Sequence, residues 1–154
     1  LPQSNFARQI THRTCATFDS IRLAINLKKE YEASRNFKYD CVILTRLDLQ
    51  FKTPIIIPSN LNKLSYPIGE GWFPDGKRKL GAACVYGTKS HFNDQIIIGK
   101  SDLIDKIGEI FDNIIKMNKE HKIEINNETL IGWYCILNKI NYSSEDICTY
   151  QILR

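Results

Sequence analysis

The run Tyr39-Asp-Cys-Val-Ile-Leu-Thr-Arg-Leu-Asp48 ends in a guanidinium and a carboxylate two residues apart. Arginine grips phosphate through two parallel N–H groups. An aspartate can hold a hard divalent cation through its oxygens. Arg46 and Asp48 are therefore candidate ligands for a phosphorylated molecule and for Mn²⁺ or Mg²⁺. The structural alternative is that the two simply pair with each other, or that Asp48 caps the following turn.

Elements must bring such side chains to one place. The apolar, β-branched run from Cys41 to Thr45 reads as a strand buried on both faces of a parallel sheet. Ligands of open α/β sheets gather beyond the carboxyl ends of strands, which is where Arg46 and Asp48 would stand. Residues from about Ser4 to Arg35 read as one long helix or two consecutive ones. Phe18, Ile21 and Ile25 fall on one face, with Leu23, Leu27 and Tyr31 alongside, while Lys28, Lys29, Glu30 and Glu32 mark the wet side. Asn36-Phe37-Lys38 ends that helix. Four prolines between 52 and 80 exclude a helix there; Ile55-Ile56-Ile57 and Leu64-Ser65-Tyr66 are candidate short strands. The loop Gly69-Glu-Gly-Trp-Phe-Pro-Asp-Gly76 follows, then the solvated run Lys77-Arg78-Lys79. Phe92-Asn-Asp-Gln-Ile-Ile-Ile-Gly99 is the second strand, entered through three polar side chains. Ser101 is read as the cap of a helix through about Lys119, with Ile104, Ile107, Phe111 and Ile114 inward. Asn126 or Asn127 caps a last helix from Glu128 to Asn138, with Leu130, Trp133, Tyr134 and Leu137 as its buried face. Tyr150–Arg154 reads as a closing strand.

Bulk properties set the class. The chain has 154 residues, 43% hydrophobic and 25% charged, enough for one domain with a real core over 1–154. A net charge of +4 with scattered basic residues argues against a dedicated nucleic-acid binder, which needs a dense basic face. Five cysteines without metal-ligand spacing read as reduced thiols, mostly buried, in a cytosolic protein. No apolar run reaches the roughly 18 residues of a transmembrane helix, and the N-terminus lacks the apolar stretch of a signal peptide. The first residue is Leu rather than Met, which reads as a fragment, a processed form or a trimmed chain.

The order of these segments carries a resemblance. A helix is followed by YDCVILTRLDL, a proline-broken stretch, FNDQIIIG with a helix behind it, and NETLIGWY. This resembles nucleotide-sugar-dependent glycosyltransferases of the GT-A fold from bacterial glycan loci and large viruses. Over residues 15 to 154, the matching positions are Tyr39–Leu49, Asn93–Gly99 and Glu128. The resemblance implies a mixed, Rossmann-related α/β sheet flanked by helices, a nucleotide-sugar donor, a glycan acceptor and a cytoplasmic or membrane-peripheral site of action. Two departures stand out. The fold's metal signature has two aspartates, whereas Arg46-Leu47-Asp48 keeps one. Only about 40 residues precede the strand, so the chain resembles the C-terminal part of such a domain, without the N-terminal βα units.

On that resemblance, Asp48 holds the metal, Arg46 stabilises the diphosphate, and Asp94 or Glu128 takes the acceptor's proton. Asn93 and Gln95 bond sugar hydroxyls, and Trp72 or Phe73 stacks on a sugar face. Each residue has a plainer role open to it. Asp94 can accept from a backbone N–H, Glu128 can complement a helix start, Trp72 can anchor its loop, and His12 and His91 can be structural. Two other functions stay open: a non-catalytic remnant or interaction module on the same scaffold, and a metal-dependent phosphohydrolase or nuclease built on Asp48, Asp94 and Glu128. The latter ranks lower because no closely spaced acidic pair is present.

Overall fold

The computed structural model describes residues 5–67 and 92–153. The first helix, α1 (Asn5–Arg35), runs unbroken and ends where Asn36 takes a left-handed φ of 53°, a conformation asparagine tolerates better than most residues. Phe18 and Ile25 are buried and Ile21 packs beside them, as the spacing predicts. Leu23, Leu27 and Tyr31 are not part of that stripe; all three are at least half exposed. The wet-side expectation also fails for Glu32, which is 2% exposed. The helical period explains it: Lys28 and Glu32 follow Ile25 by three and seven residues, and so return to the inward face.

A buried carboxylate must be paired and hydrogen-bonded. Glu32 accepts from the Ser101 hydroxyl at 2.6 Å, from the Tyr39 backbone N–H at 3.0 Å, and from Lys28 and Lys38 Nζ at 3.0 Å each. Burial pushes its pKa up, but these donors outweigh burial and hold it down to about 2. Lys28 also meets Ser101 Oγ and pairs with Asp105 at 2.9 Å. Ser101 therefore does not cap its helix. Its hydroxyl is spent on Glu32, and the N-cap is Lys100, whose side chain makes no capping bond. The network joins the end of α1, the approach to the first strand and the start of the next helix.

The main sheet is mixed. The strands β1 (Val42–Thr45), β3 (Leu64–Pro67), β4 (Ile96–Gly99) and β5 (Tyr142–Glu145) lie in the order β1-β4-β3-β5. β1 and β3 each pair antiparallel with β4, and β3 pairs parallel with β5. The strand β2 (Leu49–Phe51) pairs antiparallel with β6 (Tyr150–Ile152) in a small second sheet. The expected parallel placement of β1 is thus corrected. So is its burial on both faces: β1 ends the sheet, and Ile43 and Thr45 face outward. The strands buried at every position are β3 and β4. Ile97 joins the core beneath the helices, while Ile96 and Ile98 join a smaller one with Ile147, Cys148 and Tyr150. No strand forms at Ile55-Ile56-Ile57, where the last two side chains are exposed.

The helical layer behind the sheet holds α2 (Ser101–Gly108), α3 (Ile110–His121) and α4 (Asn127–Leu137). One helix through Lys119 was expected, but the ladder tightens at Glu109, whose N–H bonds back to the Lys106 carbonyl at 3.2 Å. Gly108 just before it lies against Ile25, where an added Cβ would come within 3.3 Å. Ile104, Ile107 and Ile114 are buried across both helices. Asn126 caps α4 by accepting from the Thr129 N–H at 2.9 Å. Leu130 and Tyr134 are buried as expected, together with Ile131 and Cys135, while Leu137 is exposed. Among the described residues the cysteines at 15, 41, 135 and 148 are free thiols, and burial pushes Cys135 up to about 12. No helix among these residues is long and apolar enough to cross a membrane.

Candidate functional site

Antiparallel pairing decides where the polar side chains collect. Thr45 faces Ile96, and the Arg46 N–H donates to the Gln95 carbonyl at 3.2 Å. The carboxyl end of β1 thereby lies against the amino end of β4, and Asp94 arrives beside Arg46. The start of α4 joins them, since Asn127 Nδ2 donates to Asp94 Oδ2 at 2.7 Å. Opposite stands α1, contributing Thr17, Ser20, Ile21 and Ala24. Together with Leu44, Arg46, Asp48, Asp94 and Asn127 these residues wall a cleft of about 640 Å³.

Within the cleft Arg46 and Asp48 form a two-pronged pair, Nε to Oδ1 at 2.8 Å and Nη2 to Oδ2 at 2.5 Å. The guanidinium's pKa is raised, first by this bond and further by the charges of Asp48, Asp94 and Glu128; the same bond holds the Asp48 carboxyl below its ordinary value. Both side chains are more than two-fifths exposed, so the pair is weakly held and can open to a ligand. Three carboxylates thus act around one arginine. The hydroxyls of Thr17 and Ser20 donate to the carbonyls of Arg13 and Ala16 in their own helix, which leaves their oxygens able to accept from a ligand.

The structure places the expected site residues unequally. Arg46, Asp48 and Asp94 share the cleft, and Glu128 lies near enough to act on Arg46 electrostatically. Asn93 and Gln95 are not part of its walls. Asn93 Nδ2 donates to the Tyr150 hydroxyl at 2.6 Å, and its Oδ1 accepts from the Gln95 N–H at 2.9 Å. Gln95 is 9% exposed, with Oε1 lacking a partner among the described residues. Trp72, Phe73, Lys77-Arg78-Lys79 and His91 lie outside the described residues. The sequence reading missed Thr17, Ser20 and Asn127. The signal for the first two is a row of small residues, Thr17, Ser20 and Ala24, flanking the apolar stripe at helical spacing. Asn127 reads in the sequence only as the alternative cap to Asn126.

Mn²⁺ or Mg²⁺ was expected on Asp48. Among the described residues no three of His, Cys, Asp and Glu stand close enough to hold a metal ion. Both Asp48 oxygens are already taken by Arg46. The donor set therefore does not fit an ion held by the protein alone. No family model, no curated protein and no solved structure matches this chain.

Proposed function

We propose that the chain is a glycosyltransferase of GT-A type that moves a sugar from a nucleotide-diphosphate donor to a glycan acceptor. One observation carries this reading: Arg46, Asp48 and Asp94 come together in a single cleft, with Glu128 close by, through the pairing of β1 with β4. In direct displacement the acceptor oxygen bonds to the anomeric carbon. The bond from that carbon to the diphosphate oxygen breaks, its electron pair leaving with the diphosphate. The acceptor's proton passes to Asp94, or to Glu128 in its place, as general base. Arg46 exchanges Asp48 for the diphosphate and offsets the charge that develops there. Where a donor brought Mn²⁺ or Mg²⁺ with its phosphates, Asp48, once released by Arg46, would be the residue to meet it, and the ion would supply further positive charge to the leaving diphosphate.

The closed Arg46–Asp48 pair favours a second reading, a scaffold that binds a sugar nucleotide or glycan without turning it over. Measuring nucleoside-diphosphate release from a panel of nucleotide sugars, alongside calorimetric donor binding with and without Mn²⁺, separates the two. Release with at least one donor, sharply reduced but still measurable in Asp94→Ala, supports the transferase. Binding without release supports the module. Neither binding nor release overturns both.

A further inference from the structure

Asn127 is the first residue of α4, and nothing in its sequence context marks it beyond a helix start. Its amide is nonetheless fixed in one orientation. An ionised carboxylate only accepts, so the bond to Asp94 Oδ2 at 2.7 Å must come from Nδ2. Oδ1 is thereby turned elsewhere, and it is buried with no partner among the described residues. Capping does not account for the arrangement, because the cap of α4 is Asn126, whose own side chain holds the Thr129 N–H. A buried carbonyl oxygen left unpaired costs stability, and such a group calls for a reason other than folding. The reason available here is the other end of the same amide, which grips the carboxylate at the cleft.

We propose that Asn127 is a positioning residue for Asp94. It holds one carboxylate oxygen and so fixes how the group stands toward an acceptor hydroxyl. This rests on the glycosyltransferase reading, taken with Asp94 rather than Glu128 as the general base. It also makes α4 part of the site through its first side chain, while Asn126 anchors that helix end.

The test is a double-mutant cycle on the full chain, read as nucleoside-diphosphate release, with donor affinity and melting temperature measured in parallel. Asn127→Ala should lower turnover by about a hundredfold, the effect of a misplaced reacting group, with donor affinity unchanged. The melting temperature should change little, because the side chain takes with it one bond to Asp94 and one buried oxygen that has no partner among the described residues. In an Asp94→Ala background the same substitution should cost nothing further. Equal losses in both backgrounds would overturn the proposal, as would a loss of turnover that merely follows a loss of stability. A wild-type chain that turns over no donor overturns the glycosyltransferase reading and this inference together. Active wild type with additive effects overturns this inference alone.

Discussion

At the residue scale, Arg46 and Asp48 satisfy each other, so a ligand must offer each a better partner than it already has. If Arg46 takes the diphosphate, Arg46→Ala should weaken donor binding by about tenfold to a hundredfold, the loss of a charged hydrogen-bonding partner. Arg46→Lys should recover only part of it, because an ammonium lacks the planar fork. Asp48→Asn should remove the Mn²⁺ dependence of donor binding and raise metal-free affinity, because a neutral amide competes less with the diphosphate for Arg46. Calorimetry with and without Mn²⁺ reads both, and donor binding unchanged in all three variants would take the pair out of the site. Glu32 is the opposite case, a carboxylate committed to structure. Glu32→Gln leaves the largely buried Lys28 facing a neutral amide, while the half-exposed Lys38 turns to solvent, and should destabilise the chain by about 3 kcal/mol in urea unfolding. A loss under about 1 kcal/mol would mean the network relaxes around the change.

At the element scale, two small features place the site. The α4 cap holds the helix start that carries Asn127 and Glu128. Asn126→Ala should lower stability by about 1 kcal/mol, measured by thermal or urea unfolding. It should also reduce turnover, since both side chains near the cleft ride on that turn. β4 is the other feature. Ile97 is fully buried beneath the helices, and Ile97→Ala should cost about 2–5 kcal/mol, with the spread set by how far the cavity collapses. The exposed edge of β1 bears on neither prediction, because its outer residues Ile43 and Thr45 are in contact with solvent already.

At the scale of the whole molecule, acid stability follows from carboxylates whose pKa the fold lowers. Glu32 falls to about 2 from an ordinary 4.5. Asp48 is lowered chiefly by Arg46, and Glu145 chiefly by Lys63, which pairs with it at 2.8 Å. A group with a depressed folded pKa takes up its proton more readily when unfolded, so it stabilises the fold above its unfolded pKa. That contribution disappears as pH falls through the folded value. Urea-unfolding free energy should therefore be flat above pH about 5, fall between about 4.5 and 2, and fall less steeply in Glu32→Gln. An identical acid limb in that variant would assign the loss to other groups.

What the sequence determined by itself is what local chemistry determines. The 3.6-residue stripe of Phe18, Ile21 and Ile25, the rows of α2 and α3, the Asn126 cap and the apolar run of β4 were all legible, because propensity and periodicity act within a few residues of chain. So was the polar character of the strand end at Arg46 and Asp48 and of the strand entry at Asp94, though not that the two would meet. Strand direction was not legible. A short β-branched run reads alike in a parallel or an antiparallel sheet, at its edge or at its centre, and only the partner strand decides. That decision, β1 antiparallel to β4, is what set Arg46 against Asp94. Tertiary packing likewise took Glu32 from the expected wet face into the fold, because four donors from three segments were there to meet it. It also gave Asn127 a carboxylate to hold, a contact between residues far apart in the chain that no local pattern encodes.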